Sequence, residues 1–388
     1  CSHKGAFLMN KTQTEYGKLP KYKILYKWIT DQIYNGTFKY MEKLPSESEL
    51  CNQFQISRQT VRNAFQELET DGLISRSKGS GSFVAKEVEV FQKEKIIGIL
   101  FTNVGNYISS KILTGFETVF YPKGYSLLLE QSHNRLENES LFLKKMLNSK
   151  VSGLIIESVK SSLPSPYTDL YEQLRLHHIP FVFINNRLCN VDAPSVMWDD
   201  EKASYLMTKR LIQKGHTKIA GLFRFDETQG LNRYLGYIKA LKDFNIPIQE
   251  DFISWYGLSG QKEESKRQFK NIDLFIDDIS IQCSALICYN DHIACHVVPY
   301  LASKNISVPE DLTVISFDNS NVTKLYDSTR VPSINHPKEK LGEMAANLLL
   351  QYIEAPTSIP SGHPQIIFPV SKEQELTILN GTINSDFL

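Results

Sequence analysis

No apolar run in this sequence approaches the roughly 18–20 residues that a membrane-spanning helix needs; the richest, Ile96–Phe101, is short. Cysteine is scarce, with 6 in 388 residues and no CxxC pair, which is the usage of a reducing compartment. A cytoplasmic protein without a membrane partner is therefore expected. Net charge is absent too, with 43 Lys and Arg against 43 Asp and Glu. There is no Walker A loop, no GxSxG elbow, no internal repeat and no low-complexity tract. His292 and His296 stand four apart in HIACH, the zinc-protease spacing, but Ile293 occupies the position where such an enzyme places its Glu base. These gaps argue against an enzyme, a bound metal and a resident cofactor.

The length predicts two or three domains, each able to bury a core without disulfides or metals. At 41% hydrophobic and 22% charged residues, the composition is that of an ordinary globular protein. The zero net charge hides an asymmetry. Residues 1–87 hold 13 basic against 9 acidic side chains, leaving 30 against 34 in the remainder. A small basic segment on an acidic body suggests that the basic part meets a polyanion. The opening CSHKGAFLMN has too short an apolar stretch for a signal peptide, so 1–19 reads as a flexible leader, with Met9 a candidate start. The charged run around 88–95 reads as a linker between a head, 20–87, and a body, 96–388.

Three helical patterns fill the head. Tyr22, Leu25, Tyr26, Ile29 and Ile33 share one helix face, which Gly36 ends. Ser46 and Glu49 in LPSESEL form a capping box opening a short helix with Leu50 and Phe54 on its apolar side. Ser57 caps a third helix with the stripe Val61, Ala64, Phe65 and Leu68, and Gly72 sits where a C′ glycine belongs. The short connection makes helices two and three a helix-turn-helix. The outward face of the third carries Arg58, Gln59, Arg62, Asn63 and Gln66, side chains that grip guanine, adenine and phosphate edges. Leu73–Arg76 and Ser82–Ala85 then flank a Gly-rich tip, a hairpin wing whose glycines let backbone approach a phosphate. The tip runs into a strand rather than a helix, so it is not a nucleotide-binding loop.

LPSESEL, SRQTVRNAFQELETDGLI and KGSGSFVA, within residues 20–86, resemble the DNA-binding domain of the GntR family. That resemblance implies a dimer on a palindromic double-stranded operator. It places Arg58, Gln59, Thr60 and Arg62 in the major groove and Lys78 and Gly79 at the minor groove.

From Ile96 onward, short apolar strands alternate with helices in two successive series. This predicts an α/β body of two lobes with parallel sheets, the ligand lying beyond the carboxyl ends of the strands. Polar residues gather just past those ends: Tyr107, Glu157, Asn185, Arg187, Gln229, Arg233, Asn290, Asp291 and Asp318. Carboxylates accepting from adjacent hydroxyls, a two-pronged Arg and aromatic faces suit a small neutral sugar. Asp200 and Asn319 fit capping or structural duties better.

KGH at 214–216, RxxGY at 233–237, CYND at 288–291, VPEDLTVISFDN at 308–319 and HPKEKLGEMAA at 336–346 resemble the effector domain of LacI/GalR repressors across roughly 95–375. By that resemblance Arg233, Asn290 or Asp291, and Asp318 bind the sugar, with Glu157 and Tyr107 as transfers from loop positions. A GntR-like head on a LacI-like body, with DETQG at 226–230, resembles the arabinose-responsive repressors of Gram-positive bacteria. This implies L-arabinose as the effector and release from the operator when it binds. The alternative is a sugar-binding or sugar-processing protein whose N-terminal helices only dimerise.

Overall fold

The computed structural model describes residues 20–34, 37–77, 80–85, 94–105, 107–257, 262–320, 331–354 and 365–371, without the side chains of 34, 107 and 262–265. The expected leader 1–19, most of the expected linker and the wing-tip pair Lys78 and Gly79 lie outside the described residues. The chain forms two compact units that divide between Glu94 and Lys95.

In the first unit, α1 (Lys21–Tyr34), α2 (Glu47–Phe54) and α3 (Arg58–Thr70) precede an antiparallel hairpin of β1 (Ile74–Ser77) and β2 (Gly81–Val84). The capping box forms as the sequence predicts: Glu49 N donates to Ser46 Oγ at 3.3 Å and Ser46 N donates to Glu49 Oε2 at 2.7 Å. Ser57 caps α3 by accepting from Thr60 N at 3.2 Å. Gly72 turns the chain at φ +68°, a left-handed conformation that costs glycine little. Leu25, Ile29, Ile33, Leu50, Phe54, Val61, Ala64, Phe65 and Leu68 are all buried in one core with Leu73, Ile74 and Val84. The hairpin strands are each shifted by one residue from their expected bounds.

The second unit holds two parallel sheets. One runs β13-β7-β6-β5-β3-β4, built from β3 (Ile96–Phe101), β4 (Ser126–Gln131), β5 (Gly153–Ile156), β6 (Phe181–Ile184), β7 (Ser195–Trp198) and β13 (Gln365–Phe368). The other runs β12-β11-β10-β8-β9, from β8 (Ile219–Arg224), β9 (Ile253–Tyr256), β10 (Ala285–Cys288), β11 (Thr313–Asp318) and β12 (Ser333–Asn335). Strands such as Gly-Leu-Ile-Ile in β5 and Phe-Val-Phe-Ile in β6 are buried at every position, as strands covered on both faces must be.

The helices are α4 (Tyr107–Phe120), α5 (Leu136–Leu147), α6 (Thr168–Leu176), α7 (Asp200–Gln213), α8 (Thr228–Asp243), α9 (Lys262–Gln282), α10 (Asp291–Ser303) and α11 (Lys338–Glu354). Two expectations need correction. Five elements escaped the sequence reading: α6, β7, α9, β12 and β13. The lobes are also not simply successive along the chain. After β12 the chain returns to the first lobe, where α11 packs on α4 and β13 pairs with β7. The lobes are thus joined by short crossings after Trp198 and after Asn335.

Candidate functional sites: a nucleic-acid interface and an interlobe cleft

The outward face of α3 is exposed at Arg58, Gln59, Arg62, Asn63 and Gln66. Arg58, Gln59, Asn63 and Arg62 carry light tethers. Arg58 Nη2 donates to Ser48 Oγ at 3.3 Å, Gln59 Nε2 to Asn63 Oδ1 at 2.9 Å, and Arg62 Nε to Glu47 Oε2 at 3.1 Å. Thr60 is the exception: its hydroxyl lies 2.8 Å from Ser57 Oγ, so it serves the helix cap. An exposed ion pair such as Arg62–Glu47 is worth about 0–1 kcal/mol, whereas a bidentate Arg–base contact discriminates by about 1–3 kcal/mol. The tethers therefore orient these side chains without withholding them from DNA. Arg76 on β1 joins the same surface; it covers the Phe65 ring at 5.3 Å and donates to the Arg62 carbonyl at 3.3 Å.

The cleft in the body is built around Arg233, which is 1% exposed on the first turns of α8. Its Nε donates to Asp200 Oδ1 at 2.7 Å, Nη1 to the Tyr289 carbonyl and Nη2 to Asp318 Oδ1 at 3.4 Å. The guanidinium carbon lies 4.7 Å from the Tyr289 ring centroid and 4.4 Å from that of Phe317. Asp200 is not the cap that the sequence suggested. Asp199 caps α7, accepting from Lys202 N at 2.9 Å, and this frees Asp200 to pair with Arg233. Burial raises the Asp200 carboxyl to about 6, while Arg233 and a hydrogen bond from Gln229 pull it down. Burial alone would lower the Arg233 pKa, but the facing Asp200 and Asp318 outweigh it and keep the guanidinium charged.

The other expected residues divide. Gln229 reaches this network through Asp200. Glu157, in the first lobe, accepts from Thr102 N at 2.8 Å, Thr102 Oγ1 at 2.6 Å and Asn185 Nδ2 at 2.8 Å. Asn290 caps α10, accepting from Ile293 N at 3.1 Å. Asp291 accepts from Ser316 Oγ, from Ser333 Oγ at 2.6 Å and from Ser320 N at 2.5 Å, so its carboxylate ties β11 and the turn after it to the start of β12. Tyr107 opens α4, but its side chain lies outside the described residues.

Four residues of the cleft escaped the sequence reading. Arg224, at the last position of β8, is buried with its Nε 2.6 Å from Asp226 Oδ1 and Nη1 2.7 Å from Glu227 Oε1. The other Glu227 oxygen accepts from Tyr289 Oη at 2.5 Å. Burial raises the Glu227 pKa against the pull of Arg224, and Glu157 of the opposite lobe adds to the rise. Buried Lys338 donates to the Asp318 carbonyl, and burial lowers its ammonium to about 8. His336 packs on Trp198 with ring centroids 5.2 Å apart, and burial, with Lys338 and Arg233 nearby, holds it well below the usual histidine range. Nothing in the HPKEK word announces a buried cation, since Lys at a helix start is ordinarily solvated.

Asn185 Oδ1, Trp198 Nε1 and His336 Nδ1 are buried without a hydrogen-bond partner among the described residues. Asp318 and Asn185 both hold positive φ, +96° and +63°. Backbone held in sparsely populated conformations is a recurrent feature of ligand-binding sites. Acceptors, a planar donor and aromatic rings at the ends of parallel strands make a site for a small polar molecule.

A winged-helix head and a two-lobed body of this kind define a ligand-binding transcription regulator. Residues 21–84 match the bacterial regulatory proteins of the gntR family, and residues 208–368 match the periplasmic binding protein-like domain. Solved structures agree on the fold of the body. The transcription regulator CcpA of Lactococcus lactis is 24% identical, with a TM-score of 0.61 over 71% of this chain and 96% of that one. A LacI family regulator from Enterococcus faecium with bound ribose is 23% identical, with a TM-score of 0.58 over 71% and 95%. Among sequence relatives, an arabinose metabolism transcriptional repressor from Geobacillus stearothermophilus is 36% identical over 338 residues, covering 87% of this chain and 92% of the relative. Its counterpart in Halalkalibacterium halodurans is 31% identical over 341 residues, covering 86% and 89%. The chain belongs to the family of arabinose metabolism transcriptional repressors, and it is a DNA-binding repressor.

Proposed function

We propose that the body binds L-arabinose and that binding releases the head from a palindromic operator controlling genes of arabinose use. The observation that carries the ligand class is the buried grip of Arg233 by Asp200 and Asp318 beside the Tyr289 and Phe317 rings. Those carboxylates accept from adjacent hydroxyls and the ring faces cover C–H groups, while the arginine charge is already matched by carboxylates. A sugar phosphate would bring excess negative charge to such a site. The choice of arabinose rests on the names of the relatives.

One head offers too few base contacts for tight specific binding, so the repressor works as a homodimer whose two-fold axis matches the operator. It acts in the cytoplasm as a regulator rather than an enzyme; no described helix is long and apolar enough to cross a membrane. The test is melting of the full chain with L-arabinose, D-arabinose, D-xylose, D-ribose, D-galactose and a sugar phosphate. At 100 times its dissociation constant the true effector stabilises the protein by about 2.7 kcal/mol. A shift with another sugar and none with L-arabinose overturns the assignment of the ligand.

A further inference from the structure

The two lobes of the body are stitched directly to one another at one turn. Thr228 N donates to Ser161 Oγ at 2.9 Å. Thr228 Oγ1 lies 3.0 Å from Ser161 Oγ and 3.2 Å from the Arg187 carbonyl. Ser162 Oγ donates to the Phe225 carbonyl at 2.5 Å. Ser161, Ser162 and Arg187 follow β5 and β6 of the first lobe, whereas Phe225 and Thr228 follow β8 of the second. Ser161 is wholly buried.

The second-lobe side of this seam is rigid. Arg224 clamps both Asp226 and Glu227, and Glu227 is held again by Tyr289. The first turn of α8 presses on Arg224 so closely that a Cβ at Gly230 would fall 1.9 Å from the Arg224 carbonyl oxygen, so only glycine fits. The turn therefore moves with its lobe, and its bonds to Ser161, Ser162 and Arg187 form or break as a set. Thr228 is also the first residue of the helix that carries Gln229 and Arg233.

From this geometry we propose that residues 225–228 are a latch, closed by Ser161 and Ser162 and held in shape by Arg224, that fastens the lobes over an occupied cleft. Ser161 and Thr228 are positioning residues: they add to sugar affinity by holding the closed form, without touching the sugar. The proposal rests on the reading of the cleft as a sugar site.

Calorimetric titration of the full chain with L-arabinose, run beside operator binding, tests it. Ser161→Ala removes the acceptor of the Thr228 amide and a partner of its hydroxyl. Two hydrogen bonds of ordinary net worth predict a dissociation constant raised about tenfold. The sugar concentration that half-releases the operator should rise by the same factor, with operator affinity in the absence of sugar unchanged. Ser162→Ala should weaken sugar binding in the same direction, and Thr228→Ser, which keeps the hydroxyl, should behave as wild type. Sugar binding of wild-type strength in both alanine variants overturns the latch alone. A wild-type chain that binds none of the sugars overturns the functional reading and the latch with it.

Discussion

The head and the body present their working residues in opposite ways. On α3 the arginines and amides stand in solvent, Arg58 and Arg62 each with one light tether, and the fold beneath them is complete without them. In the cleft, Arg233 with Asp200 and Arg224 with Glu227 form two buried ion pairs, so the site is part of what holds the lobe together. The difference follows from the partner. A DNA duplex supplies its own charge and surface, and the protein need only offer donors in register. A small polar molecule must be surrounded, so its receptor has to bury charges and satisfy them internally while the cleft is empty. Binding function and stability should therefore separate in the head and remain entangled in the body.

Arg233→Ala breaks that contrast hardest. It leaves Asp200 and Asp318 buried without their cation, and such a loss costs about 3–5 kcal/mol. Denaturant unfolding of the body should show it as a lowered midpoint. Arg58→Ala is the counterpart in the head. It should cost about 1–3 kcal/mol of operator affinity and relax base preference, with stability changed by no more than about 0.5 kcal/mol. Gel-shift titration on operator and scrambled DNA reads the first, and thermal melting the second.

Acid sharpens the comparison further. The buried His336 has a lowered pKa, so below about 6.5 the unfolded chain takes up a proton that the folded body refuses. Stability from this group is full above about pH 6.5 and is lost as the pH falls, with a slope of up to about 1.4 kcal/mol per pH unit. The Asp200 carboxyl, raised by burial to about 6, acts with the opposite sign. Between about pH 4 and 6 the folded state holds the Asp200 proton more tightly, so acidification there favours folding. His336→Gln should consequently remove the loss on the acid side and expose, in unfolding curves taken from pH 7.5 to 5, the joint effect of Asp200 and of buried Glu139, whose carboxyl burial raises to about 7. The smallest effect lies in the head: Ser46→Ala deletes half of the capping box and should cost about 1 kcal/mol by thermal melting.

Legibility in the sequence followed the same divide. The capping box of Ser46 and Glu49, the stripe of α3 and the glycine after it are signals within one or two helical turns, and each stands where it was predicted. The alternation of β3, α4, β4, α5 and β5 marked a parallel sheet even though α6, between β5 and β6, went unseen. The return of α11 and β13 to the first lobe was not legible, because only long-range pairing, Gln365 beside Ser195, determines it. In the cleft, Arg233 stood out as a polar residue after a strand. Arg224 did not, because it ends an otherwise apolar strand and is turned inward by two acids just beyond it. The neighbouring aspartates 199 and 200 both suit a helix start, and only packing decides that the first caps and the second meets Arg233.

Coupling of the cleft to the head is the central property of the repressor, and operator occupancy during a titration with L-arabinose measures it most directly. With full-length protein at a fixed concentration on labelled operator, occupancy should fall as L-arabinose rises and stay constant with D-arabinose. By linkage, saturating operator should weaken L-arabinose binding by the same factor. Occupancy that is indifferent to L-arabinose, or that rises with it, would contradict the account.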